Sequence, residues 1–268
     1  MKINKNLMNR NHEALKRTQK DINWLVFHYV GALGDARENT EYYKNTDINA
    51  SADFWVGFAG DIWQGNDYWN YYSWAIGGGL QGDGPHPYFQ IAKNVNSVSV
   101  EMCVRKRSRQ TMNATDKDWY FEDATVESAA ELGAYLMKEL DIDIDHVIRH
   151  YDVNAKVCPN PFVYDTGKIS WNGFKKKIVD YYNKIPGTKA NRVKKEQTET
   201  EYSVQAGVFQ NQSNAQNMMA LMKEKGFDAI LKSKNGQYIV QCGTFSNRSN
   251  AEALVLRLKS QGISAIIN

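Results

Sequence analysis

The sequence predicts two α/β units in tandem: a mixed central sheet flanked by helices over residues 1–185, and a smaller βαββαβ unit over residues 201–268. Three observations carry this prediction. Before residue 186, short apolar or alternating runs interleave with two stretches of helical spacing. Residues 186–200 are polar, charged and nearly free of large apolar groups, so they bury too little to hold a fold and read as a flexible linker. After the linker, a pattern recurs with a period of 36 residues.

In the first unit, strands are predicted at residues 24–29, 54–58, 71–76, 97–104 and 146–151, all rich in β-branched or aromatic residues. Residues 126–140 set Ala130, Leu132, Tyr135, Leu136 and Leu140 at helical spacing, and residues 170–182 read as a second amphipathic helix. The Trp- and Tyr-rich stretch 66–88 reads as loop with a strand inside. Its Gly77-Gly78-Gly79 is no phosphate loop, because no Lys-Ser or Lys-Thr follows at the required spacing. His12 falls in a predicted charged N-terminal helix, and His86, between Pro85 and Pro87, in a surface loop.

In the second unit, Tyr202-Ser203-Val204-Gln205-Ala206-Gly207-Val208-Phe209 recurs as Tyr238-Ile239-Val240-Gln241-Cys242-Gly243-Thr244-Phe245. Ser213-Asn214-Ala215 recurs as Ser249-Asn250-Ala251, and Gly226 as Gly262. Each copy reads as strand, Ser-Asn helix start, amphipathic helix, glycine stop and short strand. Two copies make a four-stranded sheet backed by two helices. Strand alternation sets Gln205 and Gln241 on the exposed face, as polar contacts for a ligand or as plain solvated residues, and makes Cys242 a small buried hydrophobe.

Composition bounds the function. At 42% hydrophobic and 24% charged residues the chain is ordinary globular protein. No apolar run approaches the ~20 residues of a membrane helix, so membrane insertion is not expected. The N-terminus lacks the apolar core of a signal peptide, which predicts accumulation in the cytoplasm before action elsewhere. Three scattered cysteines exclude a disulfide framework. The formal charge of +3 is uneven: residues 1–185 carry −2, and residues 202–268 carry +4. The basic C-terminal piece suits an anionic polymer. Oligomeric state is not legible.

Chemistry concentrates in three residues. His28 closes the run Trp24-Leu25-Val26-Phe27-His28, while His150 and Cys158 lie eight apart in a second segment. Two imidazoles and a thiolate suit tetrahedral Zn²⁺ with the fourth position open to water, the pattern of a catalytic site. A zinc hydrolase also needs a base and a cation for the oxyanion. Glu101, a carboxylate among apolar strand residues, reads either as that base or as a solvent-facing edge residue. Lys156, two residues before Cys158, reads either as the cation or as a solvated surface lysine.

Taken jointly, these motifs resemble the zinc-dependent type-2 N-acetylmuramoyl-L-alanine amidases, whose fold is that of the peptidoglycan recognition proteins. The resemblance spans roughly residues 20–180 and rests on the strand ending in His28, the strand Ser97-Val98-Ser99-Val100-Glu101, and His150-Tyr151-Asp152 followed by Lys156-x-Cys158-Pro159. It implies Zn²⁺ on His28, His150 and Cys158, catalysis through Glu101 or Lys156, and Asp152 as an orienting group. Many relatives carry Ser-Ala-His where this chain has Ser51-Ala52-Asp53, which removes the basis for a substrate contact there. Residues 201–268 resemble the SPOR domain, implying a glycan-binding module with Gln205 and Gln241 as sugar contacts. Together they imply a peptidoglycan hydrolase, an endolysin or autolysin reaching the wall through a pore or on lysis, with no nucleic-acid partner. A non-catalytic recognition protein is the alternative; such proteins typically lose the cysteine ligand.

Overall fold

The computed structural model describes residues 1–186, 202–245, 251, 254–255, 257–259 and 261–268. The chain divides into two compact units, Met1–Ala190 and Asn191–Asn268. The predicted linker, Pro186 apart, and the second Ser-Asn helix start lie outside the described residues.

The first unit contains ten strands: β1 (Ile3–Lys5), β2 (His12–Ala14), β3 (Trp24–Tyr29), β4 (Phe54–Val56), β5 (Ile62–Gln64), β6 (Tyr71–Ser73), β7 (Ser97–Met102), β8 (Arg105–Lys106), β9 (Trp119–Tyr120) and β10 (Val147–Arg149). Its helices are α1 (Ala36–Asn45), α2 (Asp123–Leu140), α3 (His150–Asn154), α4 (Asn160–Val163) and α5 (Trp171–Tyr182). Six strands form one sheet in the order β1-β5-β4-β7-β3-β10. Every neighbouring pair is parallel except the antiparallel β4–β5, so the sheet is mixed as expected.

The central strand β3 is buried along its whole length, as a parallel strand covered on both faces should be. Phe27 faces α5 and packs edge-on against Phe174 at 5.0 Å. A Cβ on Gly133 of α2 would lie 3.2 Å from Phe27 Cζ and 3.1 Å from Ile178 Cδ1, so glycine here allows a close approach of helix to sheet. On the other face, Trp24 and Val26 join Ala92, Ile148 and Val153 in a buried cluster beneath Ile76 and Tyr88.

The differences from expectation have physical reasons. Tyr135 is exposed rather than core, because the buried stripe of α2 runs through Ala129, Leu132, Gly133, Leu136, Met137 and Leu140. His12 lies in a strand, not a helix: β2 pairs with β6 in a separate two-stranded sheet, and the His12 ring packs 4.2 Å from Tyr71. The predicted strand at 146–151 stops at Arg149, where Asp152 caps a new helix. Asp53 is fully buried and accepts hydrogen bonds from Asn66 Nδ2 (2.7 Å), Ser73 Oγ (3.0 Å) and Ser99 N (2.7 Å). It is thus part of the interior, beside the buried Arg17, which donates to the carbonyls of Tyr68, Tyr71 and Ser97.

The second unit holds β11 (Tyr202–Phe209), α6 (Gln212–Glu224), β12 (Ile230–Lys234), β13 (Gln237–Phe245) and β14 (Ile266–Ile267), with an antiparallel sheet ordered β12-β13-β11-β14. Repeat-equivalent positions pair reciprocally: Tyr202 with Phe245, Phe209 with Tyr238, and Gln205 with Gln241 at the centre. The expected exposure of Gln205 and Gln241 is corrected. The register shifts on both sides of Gln205, so simple alternation fails, and the two side chains are only 7% and 6% exposed. Gln205 Nε2 donates to Ser203 Oγ, Gln205 Oε1 accepts from Asn268 Nδ2, and Gln241 Nε2 donates to Thr244 Oγ1. Cys242 is half-buried against the core of Val204, Ala206 and Val240. Gly226 and Gly262 both take the left-handed conformation, at φ +75° and +76°, as glycine stops require.

Replacing Arg17 by methionine removes the donor from these carbonyls and the counter-charge from Asp53. The variant should lose about 3–5 kcal/mol of stability in the first unit, read as a lower midpoint in denaturant unfolding of the full chain.

Candidate active site

Register builds the site. In the parallel pair β3–β7, His28 lies opposite Glu101; in β3–β10, Phe27 lies opposite Arg149, and His150 follows at once as the first residue of α3. Both histidines and the glutamate therefore emerge at one level, at the carboxyl ends of parallel strands, where α/β sheets present ligand sites.

Cys158 returns to that level through a fixed loop. Asp152 Oδ2 accepts from the Arg149 backbone N (2.8 Å), its Oδ1 accepts from Arg149 Nη2 (2.7 Å), and Arg149 Nη1 reaches the Phe162 carbonyl (2.8 Å). This clamp sets the start of α3 and hence the His150 ring. Ala155, at φ +62°, ends the helix. The Tyr151 N–H then donates to the Cys158 carbonyl (2.8 Å), and the Cys158 N–H to the Lys156 carbonyl (2.7 Å). Asn160 Nδ2 fastens the following turn to the carbonyls of Ala114 and Asp116.

His28, His150 and Cys158 are each only 2% exposed. The two Nδ1 atoms lie 3.1 Å apart, and Cys158 Sγ lies 3.7 Å from His28 Nδ1. Zn–N bonds of ~2.05 Å and Zn–S of ~2.3 Å at tetrahedral angles place such donors about 3.3 Å and about 3.6 Å apart. The Nδ1 atoms of both rings and the Cys158 sulfur face one another, while the two Nε2 atoms are buried without a hydrogen-bond partner. The donor set fits one zinc ion, and it is the one such cluster among the described residues.

The electrostatics suit neutral ligands. Burial, with the charges of His150 and Lys156, holds the His28 pKa well below the usual imidazole range; burial and Lys156 lower His150 to about 3. Burial and the Glu101 charge push the Cys158 thiol up to about 12, against the pull of Lys156 and a backbone hydrogen bond from Tyr29. A thiolate here calls for a cation beside it. Glu101 is half-buried with Oε2 unpaired, and burial raises its carboxyl to about 7 despite Lys156. Lys156 is exposed, and its charge acts on all four of these groups.

The structure thus brings together the five residues singled out in the first unit. His146 stands apart, on Asp143 at 2.8 Å, and His86 bonds the Gly84 carbonyl. Sequence reasoning missed two supporting groups. Arg149 holds α3; the signal was an acceptor three residues on, at Asp152. Tyr43 on α1 stacks near Trp55 at 5.2 Å, within reach of the Glu101 charge; a half-buried tyrosine on an otherwise polar helix leaves no sequence signal.

Comparison with known proteins agrees with this geometry. Residues 198–267 match the SPOR domain. N-acetylmuramoyl-L-alanine amidase CwlL of Bacillus licheniformis is 39% identical over 85 residues, 32% of this chain and 20% of that one. The chain therefore spans about a fifth of that relative's length. N-acetylmuramoyl-L-alanine amidase CwlA of Bacillus subtilis (strain 168) is 27% identical over 223 residues, 80% of this chain and 73% of the relative. The solved structure of PlyL superposes with a TM-score of 0.50 at 21% identity, covering 66% of this chain and 97% of the other, and shares the fold. Residues 18–161, bracketing all three metal-ligand candidates, match the N-acetylmuramoyl-L-alanine amidase family, and the chain belongs to it.

Proposed function

We propose that this protein is a zinc-dependent peptidoglycan amidase that cleaves the bond between the lactyl group of N-acetylmuramic acid and L-alanine. The convergence of His28, His150 and Cys158, with Glu101 and Lys156 at its rim, carries the reading. When bound, Zn²⁺ supplies Lewis acidity for the amide carbonyl and a water whose pKa falls toward ~7. The Glu101 carboxylate accepts a proton from the attacking water and returns it to the departing amine. The Lys156 ammonium stabilises the negative charge that develops on the carbonyl oxygen. Asp152 and Arg149 orient His150 without touching substrate.

In this reading residues 1–185 form the catalytic domain, and residues 186–200 link it to the second unit. Residues 201–268 grip the glycan of the wall, raising the local concentration of the catalytic domain on the polymer. The protein acts on the cell wall as an endolysin or autolysin. No helix among the described residues is long and apolar enough to cross a membrane.

The test is digestion of purified peptidoglycan with new amino termini and new reducing ends scored separately. Chelator-sensitive release of L-alanine amino termini alone is expected; reducing ends without amino termini would contradict the reading. Glu101→Gln should retain zinc and lose roughly 10²–10⁴-fold in turnover, and wild-type-like activity would remove it as the base. Cys158→Ser should fail to retain zinc through dialysis. A chain truncated after residue 186 should still cleave a soluble muramyl peptide yet no longer pellet with sacculi.

A further inference from the structure

The β8–β9 hairpin carries a charge that the amidase chemistry does not use. Residues 105–120 hold five cations and two acids, inside a first unit whose net charge is −2. Both acids turn onto the hairpin itself. Asp116 Oδ2 accepts from Lys106 Nζ (3.0 Å), Thr111 Oγ1 (2.8 Å) and Asn113 N (3.1 Å); Asp118 pairs with Lys106 and accepts from Ser108 N (2.8 Å). The Lys106 side chain is buried, and Arg105 pairs with Glu122 at 2.7 Å. Arg107, Arg109 and Lys117 remain exposed, with no acidic partner among the described residues. Arg107 lies over the Tyr120 ring at 4.9 Å and Lys117 over the Tyr164 ring at 5.1 Å, which limits their conformational freedom before any ligand arrives.

This hairpin packs against the segments that carry two of the ligand candidates. The Tyr29 hydroxyl, one residue beyond His28, donates to the Ala114 carbonyl at 2.8 Å, and Asn160, two beyond Cys158, donates to Ala114 and Asp116. Trp119 shares a buried cluster with Tyr29 and Cys158. The Tyr29 phenol accordingly lies within electrostatic reach of Cys158, Glu101 and the hairpin's Asp116 together. An extended five-residue peptide spans up to ~17 Å, so a stem peptide held at its amide is long enough to meet groups well beyond the ligands themselves.

We propose that Arg107 and Arg109, with Lys117 beside them, bind free carboxylates of the stem peptide and make the enzyme selective for stems whose carboxylates are not amidated. The inference rests on the amidase reading. Guanidinium groups recognise carboxylates through paired N–H donors, and an amide offers only one acceptor oxygen and no charge. A polymer with no anchor in the pocket would gain nothing from a strip placed at the pocket's edge, which favours the substrate's own peptide over a separate polyanion.

The experiment uses the zinc-loaded full chain and two soluble muramyl peptides that differ only in whether their peptide carboxylates are free or amidated. Wild-type kcat/KM should favour the free acid by about tenfold or more, and the preference should shrink as salt is raised. In the Arg107→Gln/Arg109→Gln double variant the ratio should fall toward one, with the loss appearing in KM and the unfolding midpoint unchanged. Equal wild-type rates on the two peptides, or a preference that survives the double substitution, would overturn the inference while leaving the amidase intact. Loss of affinity for linear polyphosphate with the preference retained would also overturn it, assigning the strip to a phosphate polymer. Cleavage of neither peptide would remove the amidase reading and this inference with it.

Discussion

The parallel pairing of β3 with a strand on each side is the constraint from which the site follows. Because β7 and β10 both run parallel to β3, with His28 opposite Glu101 and Phe27 opposite Arg149, the carboxyl ends of three strands reach one level. A shift of one residue in either pair would turn the partner side chain to the other face of the sheet. The apolar burial of Leu25, Val26, Phe27, Val98 and Val100 on both faces holds that register. The site inherits its precision from the core and needs little of its own.

The cost of the site is electrostatic. Two imidazoles and a thiol are held in a pocket that disfavours charge on each, and two ring nitrogens are left without partners. Such groups destabilise a fold by about 1–3 kcal/mol each when unsatisfied, and a cation held between the two Nδ1 atoms and the Cys158 sulfur would offset part of that cost. The Arg149–Asp152 clamp and the Asn160 anchor hold the donors in place independently of the metal. Asp53, buried just as deeply, has three donors on it and Arg17 beside it.

Sequence revealed the parts of this design that periodicity encodes. The strand at 24–29, the helix through Leu132, Leu136 and Leu140, and the 36-residue repeat all correspond to elements of the structure. The convergence of His28, His150 and Cys158 was legible because two imidazoles and a thiol make a donor set with few uses besides metal. What escaped detection was set by tertiary pairing. Strands of two or three residues, such as β1, β2, β8 and β9, are too short to show a period. The helix start at His150 hid inside an apolar run, because its cause is the Asp152 side chain. Gln205 and Gln241 are buried where exposure was expected, because the register shifts beside Gln205 break the regular alternation that the expectation assumed.

The central claim is that three side chains hold one zinc ion and leave a position open. X-ray absorption at the zinc edge of the purified, zinc-loaded full chain tests this most directly. Two nitrogens from imidazole, one sulfur, and one light-atom ligand displaced by an added anion would agree with the account. A shell of four protein ligands, or no sulfur in the shell, would contradict it.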